Sequence, residues 1–107
     1  MNSTLTTGEP ALGLGSDSLR ACTLLRLPEV LRARGRSRSM HYSDIERGLF
    51  THAVSLGGNC VAWPASEVVA LNWARISGMS EEEIRALVMR LEAMRNSNGA
   101  TEPRQGA

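Results

Sequence analysis

Four stretches of this chain carry apolar residues at helical spacing, and a pair of short β-prone runs lies between the second and third. Leu24, Leu25 and Leu27 lead into Pro28, a residue favoured at the first position of a helix. The spacing predicts a helix over 28–34, with Val30 and Leu31 inward, Arg32 and Arg34 outward, and Gly35 as its stop. After Gly35-Arg36-Ser37 a second helix starts near Arg38 or Ser39, where serines are placed to cap it. It runs to Arg47 and stops at Gly48. Tyr42, Ile45 and Leu49 recur at i, i+3 and i+7, the signature of one buried face. Met40, Ser43, Asp44 and Arg47 fall on the opposite face.

Ala53-Val54-Ser55-Leu56 and Cys60-Val61-Ala62-Trp63 flank Gly57-Gly58-Asn59, which reads as a hairpin. Pro64 opens a third helix through Glu67, Val68, Leu71, Trp73 and Ile76, closed by Gly78. Ser80 with Glu83 three residues on makes a capping box, and Glu81 to Glu83 suit the positive end of a fourth helix. Ile84, Leu87, Val88, Leu91 and Met94 then form one apolar stripe. Such a stripe is buried somewhere: it folds back on the core, or it pairs with a second copy. Two short helices around a Gly-containing turn are the helix-turn-helix pattern, and a hairpin directly after it is a wing. The expected fold is mainly α, a winged helix-turn-helix with a two-stranded β-hairpin wing and an additional C-terminal helix. The expected organisation is a flexible arm over 1–22, the winged helix-turn-helix over 23–78, the amphipathic helix over 79–96 and a flexible tail over 97–107.

Composition narrows the function. The chain has 107 residues and four aromatic side chains, Tyr42, Phe50, Trp63 and Trp73, which places the ordered centre between 42 and 73. A large catalytic cleft is hard to build at this size. Net charge is only +1, yet seven arginines from Arg20 to Arg47 face three acids, Glu29, Asp44 and Glu46. Every basic side chain is Arg, which suits phosphate and guanine recognition. Cys22 and Cys60 have no CxxC spacing, so neither a disulfide framework nor a zinc site is expected. No apolar run reaches the roughly 18 residues that span a bilayer, and no signal peptide is read at the start. The expected location is cytoplasmic, with the nucleoid, and no membrane partner is expected.

With these elements in order, LLRLPEVLRARGRSRSMHYSDIERGLF followed by SLGGNCVAWPASEV resembles the AlpA family of phage and mobile-element regulators. These are small winged helix-turn-helix proteins related to excisionases and the MerR-type DNA-binding domain. The resemblance rests on Arg26-Leu27-Pro28-Glu29-Val30, Gly35 to Ser39 with Tyr42, Gly48 with Phe50, Leu56-Gly57, Val61-Ala62-Trp63 and Ser66-Glu67-Val68. The stretch ARISGMSEEEIRALVMRLE also looks like the C-terminal helix of such proteins, so the match covers about residues 24 to 95. It implies a sequence-specific double-stranded DNA-binding regulator of a prophage or integrative element, or an excisionase acting at attachment-site DNA. Where many relatives have an aliphatic residue, a basic residue and Leu, this chain has His41, Ser43 and Asp44. Its wing turn carries no basic residue.

The second helix is the expected reader of the major groove, its N-terminal residues toward base edges. Arg36 and Arg38 stand at its start, one for guanine and the other for a phosphate. Ser37 and Ser39 cap the helix and can donate to a phosphate. Met40 suits a thymine methyl, and His41 a phosphate or the core edge. Asp44 suits a cytosine amino group, or an ion pair with Arg47. Arg32 and Arg34 grip the flanking backbone, and Gly58 and Asn59 form the wing tip. Trp63 and Trp73 read as core. Ser43 beside Asp44 on one short helix does not build a catalytic triad; no catalysis, no metal and no cofactor is expected. The partners expected besides DNA are further copies of the chain, through Ile84, Leu87, Val88, Leu91 and Met94, and RNA polymerase or a recombinase. The rival from another class is a protein-interaction module, an anti-repressor or adaptor, using that same C-terminal stripe.

Overall fold

The computed structural model describes residues 22–99, in the order β1 (Leu24–Leu25), α1 (Leu27–Arg34), α2 (Arg38–Glu46), β2 (Val54–Gly57), β3 (Cys60–Pro64), α3 (Ala65–Ile76) and α4 (Glu81–Gly99). The arm expected over 1–22 lies outside the described residues except for Cys22, and so does most of the expected tail. α4 itself continues three residues past the expected end at 96.

Local chemistry explains the boundaries. At the start of α1 the Arg26 N–H donates to Glu29 Oε1 at 3.2 Å, satisfying one of the donors a helix leaves open. Gly35 ends the helix at φ +68°, and the Gly35 and Arg36 N–H groups both donate to the Leu31 carbonyl, at 2.9 and 3.1 Å. Glycine takes this left-handed geometry without the penalty a Cβ brings. Ser37 caps α2, its Oγ accepting from the Met40 N–H at 3.2 Å. The capping box of α4 is complete: Glu83 N–H donates to Ser80 Oγ at 3.1 Å and Ser80 N–H to Glu83 Oε1 at 2.8 Å.

β2 and β3 form the expected hairpin around Gly58-Asn59. They pair antiparallel, Val54 with Ala62 and Ser55 with Val61, and the register shifts before Gly57 meets Cys60. β1 pairs antiparallel with the other edge of β3, Leu25 opposite Trp63, so the sheet has three strands in the order β1-β3-β2. Two residues are too few to leave a period in the sequence, which is why β1 was not expected. The architecture is a winged helix-turn-helix with a C-terminal helix.

Val30, Leu49, Phe50, Trp63, Val68, Leu71, Ala74, Ile84 and Val88 make the core. Each large apolar side chain buried there contributes about 1.5–3 kcal/mol. Ile84 and Val88 bring α4 into it, with Leu87 and Leu91 packed at its edge and Met94 half exposed. Ile84 and Val88 of the stripe therefore fold back on their own chain, while Met94 stays exposed. Arg95 fastens the far end of α4, donating to both Glu67 oxygens at 2.8 and 2.7 Å and to the His52 carbonyl at 2.7 Å.

Two expected packing positions are reversed. Trp63 is fully buried and donates from Nε1 to the Thr51 carbonyl at 2.8 Å, but Trp73 is 62% exposed. α3 buries Glu67, Val68, Leu71 and Ala74, and Trp73 lies two residues from Leu71, about 200° round the helix. In α2 the buried residues are His41 and Asp44, while Tyr42 is exposed. Here polar side chains with partners displaced an aromatic one from the inward face.

Candidate nucleic-acid interface

Asp44 is the hub of the helix-turn-helix. Its carboxylate is completely buried and takes hydrogen bonds from three nitrogens. Arg34, at the end of α1, donates from Nη2 to Oδ2 at 2.7 Å. Arg36, in the turn, donates from Nε to Oδ2 and from Nη2 to Oδ1, both at 3.0 Å. Arg75, near the end of α3, adds a looser contact at 3.9 Å. Burial alone raises the pKa of a carboxylate; the hydrogen bonds and charges of Arg34 and Arg36 outweigh it and hold Asp44 below its ordinary value. Burial in turn draws the Arg34 guanidinium below its usual value, against the pull of Asp44.

His41 sits one turn before Asp44, also fully buried. Arg34 Nη1 lies 2.7 Å from His41 Nδ1, and a guanidinium has no acceptor, so Nδ1 accepts. Burial first, then the Arg34 charge, lowers the His41 pKa to about 4, so the ring is neutral and carries its proton on Nε2. That Nε2 is buried with no hydrogen-bond partner. The ring instead packs edge-on against Phe50 and Trp63, at 5.1 and 4.8 Å between centroids. Arg34 stacks 4.0 Å above the Phe50 ring.

These contacts correct several expectations. Asp44 and His41 do not reach the surface, and Asp44 pairs with Arg34 and Arg36 rather than with Arg47. The Arg34 side chain is only 5% exposed, so it holds the turn from within rather than gripping a flanking backbone. Arg36 is 29% exposed and spends its planar edge on Asp44, not on a guanine. Arg47 instead pairs with Glu81, at 2.9 and 3.1 Å.

The surface of α2 that remains is continuous. Arg38, Ser39, Met40, Tyr42, Glu46 and Arg47 are exposed and Ser43 half-buried, with the Arg38 guanidinium 5.7 Å from the Tyr42 ring centre. Arg32 is exposed on α1, and Gly58 and Asn59 are exposed at the hairpin tip. Sequence reasoning missed Tyr42 and Glu46 on this surface, and Arg75 at the hub. A helical wheel phased on His41 and Asp44 as the inward residues exposes the first two; nothing in the sequence marks Arg75. Among the described residues no group of three His, Cys, Asp or Glu side chains is placed to hold a metal, and no helix is long and apolar enough to cross a membrane.

The family described as Prophage CP4-57 regulatory protein (AlpA) matches residues 23–75, from the residue before β1 to the penultimate residue of α3. Residues 23–75 resemble the AlpA family. The matched segment thus holds the helix-turn-helix, the wing and the whole Asp44 hub. A protein of Enterobacteria phage P4, described as uncharacterized protein ORF88, is 52% identical to the chain over 54 residues. That alignment takes in 50% of this chain and 61% of the phage protein, so the chain spans about three fifths of its relative's length. No solved structure matches the chain.

Proposed function

We propose that this AlpA-like chain is a sequence-specific double-stranded DNA-binding transcriptional regulator of a prophage or integrative element. The observation that carries the reading is that the outward face of α2 and the hairpin tip are both exposed in a winged helix-turn-helix. In this arrangement α2 enters the major groove. Arg38 and Ser39 at its start meet phosphate or base edges, with Ser37 capping behind them. Met40 and Ser43 face the bases, Arg47 and Arg32 the flanking phosphates, and Gly58-Asn59 the adjacent groove. Arg34, Arg36 and Asp44 set the angle between α1 and α2 and make no contact of their own with bases. The chain acts by occupying its site, with no bond made or broken.

The test is titration into labelled duplexes from the DNA around its own coding region, with shuffled duplexes as controls, at two salt concentrations. The expected result is one preferred duplex, binding that weakens steeply with salt, and loss of the preference in an Arg38→Ala/Ser39→Ala variant that stays folded. Equal affinity for native and shuffled duplexes at low salt overturns the reading. The position of the preferred duplex, at a promoter or at an attachment site, separates transcriptional control from excision.

A further inference from the structure

Ser39, Ser43 and Glu46 are spaced i, i+4 and i+7, one line along α2, opposite the buried pair His41 and Asp44. Glu46 is exposed, and among the described residues no hydrogen bond or ion pair engages it. The adjacent cation, Arg47, is paired with Glu81 rather than with Glu46. A free carboxylate on a surface that meets DNA is repelled by every phosphate. It is tolerated where it meets a donor: the major groove offers the amino groups of adenine and cytosine, and since the N7 acceptor beside adenine N6 repels a carboxylate, cytosine N4 is the better partner.

We propose that Glu46 is a specificity-determining residue that reads the amino group of one cytosine, the role the sequence had assigned to Asp44. The inference rests on the DNA-binding reading above. It adds a second effect, since the same charge penalises any site that offers no donor there, which suppresses binding to unrelated DNA.

The experiment starts from a random duplex library enriched on the wild-type protein. The enriched duplex and variants permuted at one base pair each are then titrated with wild type, Glu46→Ala and Glu46→Gln. Glu46 has no partner to lose, so both variants keep the wild-type melting temperature, which is measured alongside. One C·G pair is expected to be required, its replacement weakening the wild type roughly 5- to 150-fold. Glu46→Ala flattens the profile at that pair alone and binds shuffled duplexes more tightly. Glu46→Gln moves the preference there toward adenine, which a carboxamide pairs with on two atoms. A permutation profile unchanged in Glu46→Ala, or affinity lowered equally for all duplexes, overturns the role of Glu46 and leaves DNA binding standing. If the wild type enriches no motif at all, both readings fall together.

Discussion

Arg36 holds Asp44 with two parallel hydrogen bonds, Nε to Oδ2 and Nη2 to Oδ1, both 3.0 Å long. One partner lies in the turn and the other in the last turn of the following helix, so the pair fixes the direction in which α2 leaves the turn. Arg34 adds the end of α1 to the same carboxylate.

Removing Asp44 therefore strands cations rather than a single contact. Asp44→Ala is expected to lower stability by about 3–5 kcal/mol, the range for breaking a buried pair from one side. Urea unfolding followed by circular dichroism measures it. A loss below about 1 kcal/mol contradicts the hub.

Acid acts through His41 before it acts through Asp44. The unfolded imidazole takes a proton below its ordinary 6.5, the folded one only near 4. Between those values the unfolded state binds more protons, so stability falls as pH is lowered through the window, by on the order of 3 kcal/mol in all. The lowered pKa of Asp44 adds a further loss that begins only as pH drops through the carboxylate's ordinary 3.8. Unfolding free energies at pH 7, 5.5 and 4.5 trace the first loss, and His41→Gln is expected to remove most of that slope.

The element order, the wing and the α4 capping box were legible because each rests on local signals: glycines at turns, Pro64, and Ser80 with Glu83. The rotation of α2 was not. Apolar periodicity assigns Tyr42 inward and Asp44 outward, and that rule fails where a carboxylate finds arginines inside. Arg34 and Arg36 are near Asp44 in sequence and were counted as DNA contacts, since charge alone does not tell an arginine that binds a phosphate from one that binds its own chain. Arg75 reaches the hub from 31 positions away, a distance over which sequence spacing carries no information. The stripe on α4 was legible as apolar, but what covers it depended on tertiary packing.

The two tryptophans are expected to behave oppositely. Trp63→Ala removes a buried ring and its bond to Thr51, at a cost of about 3–5 kcal/mol. Trp73→Ala, at a side chain 62% exposed, changes stability by no more than about 0.5 kcal/mol. Paired thermal melts decide this, and acrylamide quenches the emission that Trp73→Ala removes.

α4 offers a similar contrast. Ile84 is 1% exposed and Met89 is 72% exposed on the same helix. Ile84→Ala is expected to cost about 2–5 kcal/mol, and Met89→Ala almost nothing. Leu87→Glu with Leu91→Glu is expected to unfold the protein rather than dissociate a complex, seen as lost ellipticity in parallel with any change in sedimentation.

Because α4 closes a core whose other walls precede it, the order of synthesis matters. The ribosome delivers α2 well before Ile84 and Val88, so a nascent chain carries that helix before the core is complete. A chain that stops ahead of Ile84 lacks two of the nine core side chains, and its core stays open on that side.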